Sequence, residues 1–184
     1  MNERTPRRET STAKLPVIDT LLQSATVGVF HAFGIATAPL PPAELPSDAL
    51  YLEFPVGIIT FKAPGIHAAL LLSLPRALSA RLVARQGTRA DSRDLLRELT
   101  NLIMGRLKNR LTLYQVTLAS SLPVCRERSN ELEGLLPKVG PFTAYRFRTL
   151  DGEILLALKG SIDESRLTYS STIQINAEGD IIVF

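Results

Sequence analysis

Between residues 91 and 111 the apolar side chains recur at helical spacing. At about 100° per residue, Leu95, Leu96, Leu99, Ile103 and Leu107 gather on one side, and Asp94, Glu98, Asn101 and Gly105 form a narrow strip opposite. Asp91 or Ser92 supplies the N-cap. Upstream, Val17, Leu21, Leu22, Ala25, Val29, Phe30 and Phe33 repeat the pattern from Leu15 to Gly34 and predict a first long helix, with Pro16 in its first turn. The stretch Ala38 to Pro46 carries four prolines and reads as a connector, neither helix nor central strand. Leu50 to Lys62 and Ile66 to Leu74, divided by Ala63-Pro64-Gly65, predict an antiparallel pair of strands. Arg76 to Arg85 reads as a short helix ending at Gly87.

Beyond Leu111 the alternation of Leu113, Val116 and Leu118 predicts a strand running toward Pro123, and residues 126–140 a charged, glycine-punctuated loop with one helical turn. Thr143 to Leu150 and Glu153 to Leu158 flank Asp151-Gly152, the preferred pair for a two-residue hairpin turn. Leu167 to Asn176 and Ile181 to Phe184 read as a last pair of strands. The sum is an α+β fold, an antiparallel β-sheet packed against two long α-helices. Residues 1–14 lack periodicity and read as a disordered basic tail; 15–184 form a single domain with a strand-like extension from about residue 170.

Composition narrows the function classes. With 184 residues and 45% hydrophobic positions the chain can bury a core of its own. The net charge of +3 is modest, with Arg4, Arg7, Arg8 and Lys14 confined to the tail, and aromatic residues make up only 6%, so no nucleic-acid surface is expected. Arg7-Arg8 is followed by polar residues where an export signal requires an apolar core, and the apolar run from Leu15 to Leu40 is interrupted by polar residues. The expectation is a cytoplasmic protein without a membrane span.

Chemistry is sparse. Cys125 is the only cysteine, which excludes a CxxC site, and His31 and His67 lie far apart among apolar neighbours and read as core residues. Ser120-Ser121 has no base that the sequence can assign to it and reads as strand-end and loop. No metal-ligand, phosphate-loop or nucleophile-elbow motif occurs. The strip remains, either as a solvated helix face or as a site. Asn and Gly are poor helix-interior residues, Gly by roughly 1 kcal/mol against Ala, so folding alone does not call for Asn101 and Gly105 there. A neutral amide can donate to and accept from one water, as Asn101 would, and Glu98 could pair with a partner's lysine. Asp19, Gln23 and Thr26 repeat the spacing of Asp94, Glu98 and Asn101, by chance or as a duplicated half that has lost its strip.

Asp94-x3-Glu98-x2-Asn101, followed by Gly105 and, after 21 intervening residues, by Pro123, resembles the signature of the CheC/CheX/FliY phosphatases of bacterial chemotaxis. One copy of the motif is similar to the CheX-like branch. The resemblance implies hydrolysis of the phosphoaspartate on a CheY-like response-regulator receiver domain, ending a chemotaxis or other two-component signal. It makes Glu98 and Asn101 catalytic, with Asn101 orienting water and Glu98 meeting the receiver's lysine. Asp94 and Gly105 would contact the partner, and Pro123 would be structural. The chain would hold no cofactor of its own, Mg²⁺ coming with the phosphorylated receiver, and it would be a homodimer. The alternative is a non-catalytic receiver-binding or flagellar-switch module of the same fold.

Overall fold

The computed structural model describes residues 17–45, 52–86 and 91–170. The expected tail and most of the C-terminal extension lie outside them. In chain order the elements are α1 (Val17–Ala32), β1 (Ala38–Pro39), β2 (Ala43–Leu45), β3 (Val56–Ala63), β4 (Ile66–Ser73), α2 (Arg76–Gln86), α3 (Ser92–Thr112), β5 (Ala119–Ser120), β6 (Val124–Arg126), β7 (Phe142–Thr149) and β8 (Gly152–Ile162). Two short 3-10 turns, Ser129–Leu132 and Glu164–Arg166, complete the described residues.

The strands form one antiparallel sheet in the order β1-β7-β8-β4-β3-β5, with β2 also on β7 and β6 also on β3. Alternation decides its two faces. Ile59 and Phe61, Leu70 and Leu72, Tyr145 and Phe147, and Leu156 and Leu158 turn toward the helices, where they meet Leu22, Phe30, Leu78, Leu82, Leu96, Leu99, Ile103 and Leu107. The other face is also apolar at its centre: Ile58, Leu71 and Ala157 lie beneath Leu132, Leu135 and Leu136 of the segment between β6 and β7. Sheet and helices thus match the expected α+β architecture, with α2 as a third helix.

The chain repeats itself around the central pair β4–β8. Each half contributes a long helix, two short strands and a hairpin, and each half's short strands edge the other half's hairpin: β1 and β2 on β7, β5 and β6 on β3. Leu71 faces Ala157 at the centre of the pair. The helices superpose in role at Thr26 and Thr100, both buried, whose hydroxyls donate to the carbonyls of Leu22 and Leu96. Thr26 therefore corresponds to Thr100 rather than to Asn101, so the spacing echo is out by one residue. Asp19 is buried and accepts a 2.6 Å bond from the Tyr145 hydroxyl; it is a core group, with no place in an exposed strip.

Other expectations need correction. Leu113 to Leu118 is not a strand. Gln115 takes a φ of 58°, its N–H bonds Thr112 O, and Val116 N–H reaches back to Leu111 O. This is a helix-ending Schellman arrangement built without glycine, and the residues that alternate are spent on it. Strand pairing resumes only at Ala119. The hairpin register pairs Thr149 with Gly152, so the loop residues are Leu150 and Asp151, one position earlier than Asp-Gly suggests. Strand β3 starts at Val56 because Pro55, before it, has no N–H to give to a ladder. The proline-rich connector contains β1 and β2, both short edge strands. Leu167 to Ser170 is irregular, and the rest of the predicted last pair lies outside the described residues.

Both histidines are exposed. His31 sits on the solvent side of the last turn of α1, and His67 lies near the start of β4 beside Lys62 and Ser161, on a part of the sheet face open to solvent.

After β8 the chain returns to the helix ends. Glu164 accepts from the N–H groups of Val17 and Ile18, at 3.1 and 2.9 Å, and so caps α1 with a carboxylate from the far end of the domain. Ser170 N–H donates to Leu113 O, and Tyr169 packs edge-on against Tyr114 with ring centres 5.6 Å apart, at the end of α3.

Candidate functional site

Helix α3 is fixed from both its start and its inner face. Asp91 is the N-cap, in extended conformation, with a carboxylate that accepts from Arg93 N–H at 3.2 Å. Leu95, Leu96, Leu99, Thr100, Ile103, Met104, Leu107 and Leu111 are buried beneath it. One turn is pressed against the sheet. A Cβ on Gly57 of β3 would lie 2.3 Å from Thr100 Oγ1 and 2.9 Å from Leu96 O, so the helix backbone occupies the space a side chain would take. The same turn carries Glu98 and Asn101 on its outer side.

The outer ridge runs Asp94, Glu98, Asn101, Leu102, Gly105. Asp94, Glu98 and Asn101 are exposed and Leu102 is 40% exposed. A Cβ on Gly105 would meet nothing within 4 Å, so packing does not explain the glycine. Asp94 pairs with Arg97 at 3.0 Å on the helix surface. Such an exposed pair contributes a few tenths of a kcal/mol at most, so its interest is positional.

One flank of the ridge faces β6. Arg93 is ion-paired with Glu127, just beyond that strand. Cys125, half-buried in β6, has its thiol pushed up by burial, although Arg97 and Arg93 nearby pull the other way. Pro123, partly buried, immediately precedes β6, and Leu122 before it is 85% exposed. The sequence therefore brings Asp94, Glu98, Asn101 and Gly105 onto one ridge and places Pro123 in the loop leading to the strand beside it.

Gly57, Arg97 and Leu122 escaped the sequence reading. Gly57 carried a signal, since an isolated glycine in an apolar strand run marks a close approach of backbone. Leu122 carried none, because exposure of a leucine beside a proline is set by how the loop leaves the sheet edge.

Among the described residues no three His, Cys, Asp or Glu side chains converge to hold a metal ion, and no helix is long and apolar enough to cross a membrane.

No protein-family sequence model matches the chain, and no curated protein matches it in sequence. Solved structures do match it in fold. A chemotaxis protein CheX from Desulfovibrio desulfuricans superposes with a TM-score of 0.65 at 16% identity, over 77% of this chain and 97% of that one. CheX of the CheX–CheY–BeF3–Mg²⁺ complex from Borrelia burgdorferi gives 0.63 at 10% identity, over 81% and 100%. The middle domain of FliM from H. pylori gives 0.52 at 11% identity, over 83% and 91%. The chain folds as the CheX and CheC-like chemotaxis proteins do.

Proposed function

We propose that this chain is a phosphatase acting on the phosphoaspartate of a CheY-like receiver domain, and that it works in the cytoplasm, where such receivers are found. The observation that carries the reading is the exposed ridge. Glu98 and Asn101 stand one helical turn apart, held by the turn that Gly57 fixes, beside a glycine that packing does not require. The solved complex with CheY and a phosphoryl analogue, on the same fold, supports the choice of partner.

The chemistry asks little of the protein. An acyl phosphate already has a good leaving group, so positioning supplies most of the acceleration. The Asn101 amide accepts from and donates to a water and directs its lone pair at phosphorus. The water oxygen bonds phosphorus while the bond from phosphorus to the acyl oxygen breaks, the receiver carboxylate leaves, and the water's proton ends on inorganic phosphate. Glu98 sets the register by pairing with the receiver's lysine. In this reading the Mg²⁺ comes with the phosphorylated receiver, and the chain supplies only Glu98 and Asn101 to the reaction. The homodimer implied by the resemblance is part of the proposal and is measured by sedimentation of the purified chain.

The test is phosphate loss from a phosphorylated receiver. Wild type should accelerate it, and Asn101→Ala should lose on the order of 100-fold, about 2.7 kcal/mol of transition-state stabilisation. Unchanged decay with wild type sinks the reading; equal acceleration by both proteins removes Asn101 from the mechanism. The fold likeness to the FliM middle domain favours a second reading, a non-catalytic interaction module. That reading predicts binding to a receiver or a switch component without acceleration.

A further inference from the structure

We propose that the cavity at the Lys62–His67 pair, where β5 edges β3, binds a small oxyanion: a phosphate or carboxylate group on a molecule from solution. The inference stands apart from the phosphatase reading. By strand alternation Lys62 shares the face of Ile58, whereas Ile59 and Phe61 turn toward the helices, so the cavity and the ridge lie on opposite sides of the sheet.

The comparison of the two halves carries it. In the β7–β8 hairpin, Arg148 and Glu153 form the pair next to the closing pair Thr149 and Gly152; in the β3–β4 hairpin, Lys62 and His67 hold that place next to Ala63 and Ile66. The edge strands agree, since Ala38 of β1 pairs with Arg148 as Ala119 of β5 pairs with Lys62. Lys62 therefore corresponds to Arg148, Thr60 to Arg146 and His67 to Glu153. In the second half Glu153 answers the cations, 4.0 Å from Arg148 and 3.9 Å from Arg146. In the first half the carboxylate is missing. Lys62 keeps its charge, and an imidazole stands where the acid would be.

Nothing nearby takes the acid's place. Lys62 and His67 are exposed and make no ion pair or side-chain hydrogen bond among the described residues. Asp163, two positions beyond Ser161 on the strand line beside His67, is held by Arg166 at 3.0 Å and by Ser165. Lys159, on the same face, gives its amine to Gly140 O at 2.6 Å over the Phe142 ring. The cavity measures about 300 Å³, and Thr60, Phe61, Ala119, Ser120 and Ser121 complete its lining, with no carboxylate among them. Lys62 brings three N–H donors and His67 at least one. An oxyanion seated there restores to Lys62 what Glu153 supplies to Arg148.

The test is titration of the full chain with inorganic phosphate and, separately, with succinate, each against sodium chloride of equal ionic strength, read on the amide resonances of Thr60 to Lys62 and Ala119 to Ser121. One of the two anions should give saturable shifts that chloride does not, and the tighter one names the group. Lys62→Gln should weaken binding on the order of tenfold, the loss of one charge-assisted hydrogen bond. His67→Glu gives Lys62 the carboxylate of the second half and should abolish the saturable shift with thermal unfolding unchanged. Glu153→Gln, in the other hairpin, should leave binding as in wild type. Shifts that chloride reproduces, no saturation with either anion, or undiminished binding in His67→Glu each overturn the proposal.

Discussion

The Tyr145 hydroxyl shows how a single residue can tie a helix to the sheet. It donates to Asp19 of α1 at 2.6 Å inside the core, and neither group is open to solvent. Burial, and then the bond to the Asp19 carboxylate, push the phenol well above its ordinary value. The neutral phenol is thus favoured by folding. Its contribution is fully present below the unfolded-chain value of about 10 and is lost as pH rises from there through the higher folded value. Tyr145→Phe removes a hydrogen bond to a buried carboxylate and should cost about 1.5–3 kcal/mol at neutral pH. Urea unfolding at pH 7 measures that loss, and the variant should then lose stability less steeply than wild type above about pH 10. A variant as stable as wild type would mean that Asp19 is held by its other contacts alone. Nothing in the sequence paired these residues, since 126 positions separate them.

At the scale of elements, what was legible follows from what has local physics. α3 was readable to within a residue because its cap, its period and its length all agree; the two hairpins were readable because Pro-Gly and Asp-Gly punctuate apolar runs. The short edge strands were not readable. β1, β2, β5 and β6 are held by partners distant in sequence, and their own residues carry no pattern longer than three positions. The exposed strip was legible as periodicity, whereas the Arg93–Glu127 pair on its flank was not, because it forms only once β6 lies against α3.

The contact that positions the ridge can be tested directly. Gly57→Ala places a Cβ against Thr100 Oγ1 and the Leu96 carbonyl, forces the helix outward, and should cost about 1–3 kcal/mol in chemical denaturation. Gly105→Ala, on the open side of the same helix, should be neutral or stabilise by up to about 1 kcal/mol. Equal effects at the two glycines would mean that α3 is not held at Gly57.

For the whole molecule the duplication has a consequence for cooperativity. Two similar halves could behave as two folding units, each with its own helix and hairpin. The strand order argues otherwise. The hairpin of the first half is completed at its outer edge by β5 and β6 of the second, and that of the second by β1 and β2 of the first, while β4 and β8 join through eight consecutive residue pairs at the centre. Ile59, Phe61, Tyr145, Phe147, Leu70, Leu72, Leu156 and Leu158 belong to one core, with no apolar layer that either half closes by itself. Glu164, beyond β8, caps α1 of the first half and adds a further tie. Separating the halves would expose two sheet edges and the central pair together. Unfolding should therefore be a single transition in urea, with the far-ultraviolet dichroism and tyrosine fluorescence curves coinciding at one midpoint. Leu71→Ala, a truncation at the centre of the pair, should lower that midpoint equally in both signals, with a loss of about 2–5 kcal/mol in unfolding free energy. Two separate midpoints, or a loss confined to one signal, would show that the halves fold independently despite their exchanged edges. A single midpoint would in turn mean that the rigidity presented at Glu98 and Asn101 is drawn from both halves of the chain, although only one of them carries the ridge.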